Sequence, residues 1–437
     1  MNIAIAGCGY VGLSLAVVLS DLGHNITCIE KDTKKLEKLK RYESTIYEKD
    51  IEELILKNRE RLFFTNENSA YWDKEVIFIT VNTPEKSNGS CDLCFLYSAL
   101  DDILSINSKT ILVIKSTITI GSSKKIKEYI YKKNPNAKID VVFNPEFLSQ
   151  GSAIYDMYNA DRIVIGADNK DTCEIMKKLY QGLKSTIFFT STQSAEMIKY
   201  ASNNFLALKI SYINEIANLC EIFDADVEDV AYGMGLDKRI GSNFLKAGIG
   251  YGGSCFPKDT KALRYIARKY DSVLKTVEAA IEVNEMQNFI LIKKARKYYA
   301  DGLKGLNIAL LGLSFKPGTS DLRNSISINI IQTLEDEGAL VKCWDPVSLE
   351  EFRKIENINA CFSETIEKAL ANTDLCMILT EWPEIKEMDL NLFNNMKTPI
   401  ILDGRNCFKI PVLEKYPYIY DSIGRPTVMG FLMNSLK

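Results

Sequence analysis

The stretch Asn2–Asp32, NIAIAGCGYVGLSLAVVLSDLGHNITCIEKD, constrains the fold more than any other part of this 437-residue chain. A short β-type run, Ile3 to Ala6, meets Gly7-x-Gly9-x-x-Gly12 and an apolar helical stretch that ends at Gly23. A second strand, Ile26 to Ile29, follows and stops at Glu30. A lone GxGxxG says little. Here a strand precedes it, a helix follows, and an acid stands 18 residues beyond Gly12, which is the context of a dinucleotide-binding fold. The glycines then seat a pyrophosphate at the helix N-terminus. Glu30 would bind a ribose diol and repel a ribose phosphate, which favours NAD over NADP.

Residues Ile3 to Ser20 carry no charge and have the length of a membrane span or a signal core. No basic region precedes them, and the glycine spacing already has an explanation, so a soluble cytoplasmic protein without a membrane partner is expected. Hydrophobic residues make up 46% and charged residues 25%, as in ordinary globular proteins. A net charge of -3 gives no footprint for nucleic acid or an anionic membrane. Lys34, Lys35, Lys38, Lys40 and Arg41 alternate with Glu37 and Glu43 and read as a solvated face.

The eleven cysteines are scattered and odd in number, which points to a reducing compartment. Cys91 and Cys94 form the one CxxC, and it follows an Asn88-Gly89 turn rather than a strand leading into a redox helix. A zinc site would need a second pair or histidines, and His24 is the only histidine, so no metal is expected. His24 lies in the connector DLGHN, so neither a Ser-His-Asp triad nor a Cys-His pair is available. Acid–base work falls to lysines, carboxylates or water.

Buried-type strands recur at Val76–Val81, Ile111–Lys115, Asp140–Asn144, Arg162–Gly166 and Thr186–Thr190, several separated by helical stretches. That alternation implies a parallel sheet covered on both faces, with ligands at the strands' carboxyl ends, near Thr83, Thr117 and Glu146. From Thr190 the period becomes helical. Thr190-x-x-Gln193 resembles a capping box, and some thirty residues follow without Pro or Gly, which predicts one long helix. Lys199 and Asn203, four apart, share a face of it. A third section, NIALLGLSFKPGTSDLRNS, echoes the opening, with later strands at Val341–Asp345, Leu375–Thr380 and Pro399–Gly404. Lacking GxGxxG, it is expected to bind something other than the dinucleotide.

The fold class is therefore α/β: two Rossmann-like doubly wound parallel-sheet domains, residues 1–190 and 301–437, joined by a central helical domain, 191–300, built on the long helix. In that central domain GGSCFPKDT places Cys255 between a glycine pair and a helix start. Gly252 and Gly253 let a ligand approach bare backbone, Pro257 suits the first helical position, and the helix dipole favours a thiolate. Asp259 opposes the thiolate, yet can orient a lysine or a water.

Assembled in order, these motifs resemble the UDP-glucose/GDP-mannose dehydrogenase family over nearly the whole chain. GCGYVGLSLA is similar to its NAD fingerprint, NPEFLSQGSAIYD to its substrate loop and EMIKYASNNFLALKISYINEIA to its central helix. RIGSNFLKAGIGYGGSCFPKDTKAL resembles the nucleophile segment, and GLSFKPGTSDLRNS with DGRN the C-terminal domain. Asn82, Ser149 and Gln150 depart from the family's usual Gly, Arg and Glu, and Asn159-Ala160 from its usual His-Pro.

The resemblance implies oxidation of a sugar primary alcohol to a carboxylate with two NAD and no metal, with UDP-glucose as substrate. GDP-mannose, UDP-N-acetylmannosamine, a catalytically silent NAD-binding protein and a one-step hydroxyacid dehydrogenase are the alternatives. Cys255 would trap the intermediate aldehyde, and Lys199 and Asn203 would stabilise oxyanions. Asp259 and Lys199 would move protons with an ordered water, which Thr117 and Glu146 would position. Gly7, Gly9, Tyr10, Val11, Gly12 and Glu30 would hold the cofactor, together with Thr83, Thr117, Glu146, Lys258 and Arg323. Phe147, Leu148, Phe244, Tyr251, Gly252, Lys316 and Arg405 would hold the nucleotide sugar beside Glu146, Lys199, Asn203 and Cys255. Arg239 would reach a partner's site, which implies a homodimer.

Overall fold

The structure, a computed structural model, describes residues 1–106 and 108–430. Its chain forms two compact units, one of Met1–Ser202 with Lys261–Ser272, the other of Asn203–Thr260 with Val273 and the residues after it. The boundaries fall inside two helices, Thr192–Phe223 and Phe256–Lys269.

The first unit is built on an eight-stranded sheet. Its strands are β1 (Asn2–Ala6), β2 (Asn25–Ile29), β3 (Leu62–Thr65), β4 (Val76–Ile79), β5 (Thr110–Ile114), β6 (Ile139–Phe143), β7 (Arg162–Gly166) and β8 (Thr186–Thr190). They lie in the order β3-β2-β1-β4-β5-β6-β7-β8, so the chain winds outward in both directions from β1. β4 and β5 are buried at every position, and one apolar cluster packs on each face of the sheet. Such strands need hydrophobic side chains on both sides, which is why they read as unbroken apolar runs. The expected all-parallel order fails at one junction, where β6 and β7 meet antiparallel through Phe143 and Gly166. The last two strands are parallel to each other but reversed against the rest.

The second unit carries a seven-stranded sheet: β9 (Asn307–Leu311), β10 (Leu340–Trp344), β11 (Cys361–Phe362), β12 (Leu375–Ile378), β13 (Ile400–Asp403), β14 (Ile419–Ser422) and β15 (Val428–Met429). The order β11-β10-β9-β12-β13-β14-β15 repeats the winding of the first sheet, and only β15 runs antiparallel to its neighbour.

The long helix runs from Thr192 to Phe223, 32 residues. Its cap differs from the expected Thr190 box by one residue. Thr190 ends β8, and the Ser191 hydroxyl accepts the Ser194 amide at 3.2 Å. A serine nearer the helix serves as cap, and the threonine stays in the ladder where β-branched residues pack well.

Candidate active site

In the first sheet, helix α1 (Tyr10–Asp21) starts directly after Gly9. A Cβ on Gly12 would lie 1.9 Å from the Gly7 carbonyl oxygen and 2.6 Å from the Thr80 hydroxyl, so only glycine lets α1 approach β1 and β4. At Gly9 a Cβ would meet no atom within 4 Å. The loop is thus packed tight on the protein side and open at its middle glycine, beside the N-terminus of α1. That shape fits a dinucleotide's pyrophosphate. Glu30 ends up beside this loop: its carboxylate accepts the Cys8 and Asp32 amides, both at 3.0 Å. Tyr10 and Val11 occupy the first turn of α1, and the Tyr10 hydroxyl donates to the Tyr47 carbonyl.

Thr83 and Thr117 follow β4 and β5, and the Cys91 thiol reaches both their carbonyl oxygens at 3.6 Å. The CxxC cysteine therefore ties two loops expected at the cofactor, a role its spacing did not suggest. Across the same loop, Glu85 pairs with Lys261 at 3.2 Å.

The loop after β6 carries Glu146, Phe147 and Leu148. The Lys199 ammonium donates to the Glu146 carbonyl at 2.6 Å and to its carboxylate at 2.8 Å. The other carboxylate oxygen accepts the Leu148 amide at 2.7 Å. Burial works to raise the Glu146 pKa, but the charge and hydrogen bond of Lys199, the Leu148 amide and Lys115 outweigh it and hold the carboxyl below its usual range. The Arg162 guanidinium lies 3.8 Å from the centre of the Phe147 ring, and Lys199 lies 5.3 Å from it. A cavity of about 190 Å³ behind this loop is lined by Lys115, Asn144, Glu146, Phe147, Arg162 and Tyr180, among others. Lys115, Arg162 and Tyr180 were not singled out from sequence. Lys115 left a signal, as the one charged residue closing an otherwise apolar strand.

Glu196, also missed, is fully buried on the first turns of the long helix and accepts the Gly121 and Ser123 amides at 2.5 and 2.8 Å. It caps the helix Ser122–Lys133 that follows the Thr117 loop. Burial raises its pKa against those hydrogen bonds.

In the second unit Cys255 immediately precedes the helix Phe256–Lys269, and its carbonyl accepts the Asp259 amide at 2.8 Å. Pro257 is the second helical residue, not the first. The Ser254 hydroxyl and the Cys255 sulfur are 3.7 Å apart. Asp259 is 1% exposed; its carboxylate accepts Asn203 Nδ2 at 2.7 Å and pairs with Lys258 at 2.5 Å. A buried carboxylate needs such partners. Lys258 is the lysine that the Asp259 carboxylate holds.

A Cβ on either glycine of the pair would run into protein. Gly253 has φ +82°, and a Cβ there would sit 2.7 Å from the Phe315 ring, while one on Gly252 would lie 2.4 Å from the Asn324 carbonyl. The Asn324 amide donates to the Gly253 carbonyl at 3.1 Å. Phe244 (φ +63°) and Tyr251 each contact Phe256 edge to face. Burial pushes the Tyr251 hydroxyl up to about 12. Arg405 is anchored to the Leu379 and Gly250 carbonyls at 2.8 and 3.2 Å. Lys316 lies 5.7 Å from the Phe315 ring, Arg323 is paired with Asp321, and Arg239 is paired with Asp237 at the surface.

The second sheet repeats the first at its centre. Asp345, after β10, accepts the Leu313 amide at 2.7 Å, as Glu30 after β2 accepts that of Cys8. Asp345 is 2% exposed and also bonds Trp382 Nε1 at 3.0 Å. The Asp345 carboxylate is thus closed in by protein donors.

Elsewhere, His24 bridges the N-terminus at 3.3 Å and the Leu179 carbonyl at 2.9 Å, a structural role. None of the eleven cysteines forms a disulfide. Among the described residues no three His, Cys, Asp or Glu side chains are grouped to hold a metal, and no helix is long and apolar enough to cross a membrane.

Residues 1–184 match the NAD binding domain of the UDP-glucose/GDP-mannose dehydrogenase family, residues 193–286 its central domain and residues 309–410 its UDP binding domain. The chain is 44% identical over 435 residues to the UDP-glucose 6-dehydrogenase YwqF of Bacillus subtilis, covering 98% of this chain and 99% of that one. To TuaD, a UDP-glucose 6-dehydrogenase of the same organism, it is 43% identical, covering 98% and 94%. A UDP-glucose dehydrogenase structure from the archaeon Pyrobaculum islandicum matches with a TM-score of 0.91 at 31% identity, over 97% of this chain and 98% of that one.

Proposed function

The chain belongs to the UDP-glucose/GDP-mannose dehydrogenase family, and from that premise we propose that it oxidises the primary alcohol of UDP-glucose twice, to UDP-glucuronate. The observation that carries the reading is Cys255 at a helix start, one turn from a buried Asp259 held by Asn203 and Lys258. NAD, when bound, accepts a hydride in each oxidation. Gly7, Gly9, Gly12 and Glu30 would hold it, with Thr83 and Thr117 at the neighbouring strand ends.

Cys255 would add to the aldehyde carbon, forming a C–S bond while Lys199 and Asn203 stabilise the oxygen's negative charge. Loss of a hydride from that carbon leaves a thioester. Water placed by Thr117 and Glu146 would then add to the carbonyl; the C–S bond breaks and the carboxylate leaves. Asp259 and Lys199 would carry the protons. Phe147, Leu148, Phe244, Tyr251, Gly252, Lys316 and Arg405 would hold the nucleotide sugar.

The active species would be a homodimer in the cytoplasm. Phe205, Tyr212 and Leu219 recur every seven residues on the long helix with 61%, 47% and 49% exposure, and Ile222 and Phe223 continue the apolar stripe. Arg239 would act in the partner's site.

The test counts NADH per sugar over a panel of UDP-glucose, GDP-mannose and UDP-N-acetylmannosamine, in wild type and Cys255→Ser. Two NADH per UDP-glucose in wild type, with loss of the full reaction in the variant, is expected. No turnover of UDP-glucose, or one NADH with the variant unaffected, overturns the reading.

A further inference from the structure

Lys115 follows β5 directly, and the residue is 7% exposed. Its ammonium donates to Asn144 Oδ1 at 3.1 Å and reaches the Asn144 carbonyl at 3.5 Å. Asn144 is fully buried and held on two more sides, by its own donation to the Val164 carbonyl at 2.7 Å and by the Tyr180 hydroxyl at 2.5 Å. This lysine is therefore pinned at one place rather than reaching for solvent.

A charge in such a position is costly. Methionine would fill the same volume without desolvating an ammonium. What lysine adds is positive charge in the wall of the cavity that Glu146 also lines. The groups acting on Glu146 are Lys199 from the long helix, Lys115, and the Leu148 amide. Asp156, Asp161, Arg162 and Tyr180 line the same cavity, and burial raises the Tyr180 hydroxyl so that it stays neutral.

We propose that Lys115 is a positioning residue of the reaction: pinned by Asn144, it gives the Glu146 carboxylate a second cation besides Lys199 and so keeps that carboxylate seated on Lys199. The inference rests on the proposed function, in which Glu146 places the water that releases the product. Burial, with Lys199 adding to it and Glu146 opposing, lowers the Lys115 pKa to about 8. The cation is thus present at neutral and acid pH, where Glu146 would otherwise take up a proton.

The sign of the effect follows. Removing the cation raises the proton affinity of Glu146, so the acid limb of the kcat profile moves to higher pH. Lys115→Met is expected to shift that limb by about one pH unit, a roughly tenfold loss of rate at its acid end. KM for UDP-glucose stays within about twofold, since the contact with substrate is not Lys115's. Lys115→Arg retains the charge and returns the limb toward wild type.

A second readout needs neither substrate nor cofactor. In protein carrying carboxyl-labelled glutamate, infrared difference spectra against Glu146→Gln follow the ionisation of Glu146 directly. Its midpoint should rise in Lys115→Met, or in Lys115→Gln if the methionine variant does not fold, and recover in Lys115→Arg. Coincident Glu146 titrations in wild type and the neutral variant overturn the proposal. Wild type that makes no NADH from UDP-glucose overturns the functional reading instead, and leaves the infrared result standing.

Discussion

Lys199 holds Glu146 twice, at its carbonyl oxygen by 2.6 Å and at its carboxylate by 2.8 Å, so one ammonium fixes both the backbone and the side chain of the loop after β6. The pair is nearly closed to solvent, with side-chain exposures of 3% and 10%. Neutralising one partner of a buried pair costs about 3–5 kcal/mol, because the other charge is left uncompensated. Glu146→Gln is therefore expected to lower Tm by several degrees in calorimetry and turnover by about 100-fold. A variant with wild-type Tm and turnover would contradict both the pairing and the role.

Two glycines of the opening loop, Gly12 and Gly9, should separate by function. Gly12→Ala puts a methyl 1.9 Å from the Gly7 carbonyl, a backbone clash that no rotamer relieves. Its expected outcome is unfolding, or a loss of stability of more than about 3 kcal/mol, beyond ordinary overpacking. Gly9→Ala meets nothing within 4 Å. It should keep the wild-type Tm and weaken NAD binding by about tenfold or more in titration calorimetry, because the methyl enters the space kept for the pyrophosphate. Equal NAD affinity in Gly9→Ala would remove the dinucleotide from this loop.

Asp259 offers one oxygen to Asn203 and the other to Lys258. Asp259→Asn keeps the volume, retains the Asn203 contact in one amide orientation and loses the charge that pairs Lys258. If Asp259 moves protons during hydrolysis, the variant should acylate Cys255 yet release product slowly, about 100-fold below wild type. Intact-protein mass spectrometry after mixing with UDP-glucose and NAD would then find the sugar adduct on Cys255. A variant turning over normally, or one with no adduct and no first hydride transfer, would exclude that assignment.

What the sequence made legible followed from period and composition. β7 and β8 have the expected bounds, because Arg162–Gly166 and Thr186–Thr190 are apolar runs bordered by polar turns. β3 was missed because its four residues form an edge whose burial alternates weakly, and β14 because YPYIYDS mixes tyrosines with polar residues that tertiary contacts bury. The reversal between β6 and β7 leaves no mark in either strand, since both pair directions accept the same apolar residues. The site divided along the same line. Cys255 stood out by its place between a glycine pair and a helix start. Lys199 and Asn203 stood out through the resemblance of their helix to the family's, since their spacing alone fits an exposed lysine beside a polar neighbour. Lys115, Glu196 and Asp345 act through partners 29 to 75 residues away, which no local pattern encodes.

Lys115 also predicts how stability changes with pH. Its folded pKa, about 8, lies below the ordinary lysine value of 10.5. Between those two values the unfolded chain binds the proton that the folded chain has released, so stability rises with pH across that window. The contribution is complete above 10.5 and is lost as pH falls through about 8. Over the whole interval it amounts to about 3 kcal/mol. Urea unfolding of wild type and Lys115→Met at steps from pH 7 to 11 isolates it, because tyrosines and other lysines titrate in both proteins and cancel in the difference. Wild type should gain on the variant steadily above pH 8. A difference that stays flat across the window would mean that Lys115 is solvated in the folded protein, and would remove it from the cavity wall.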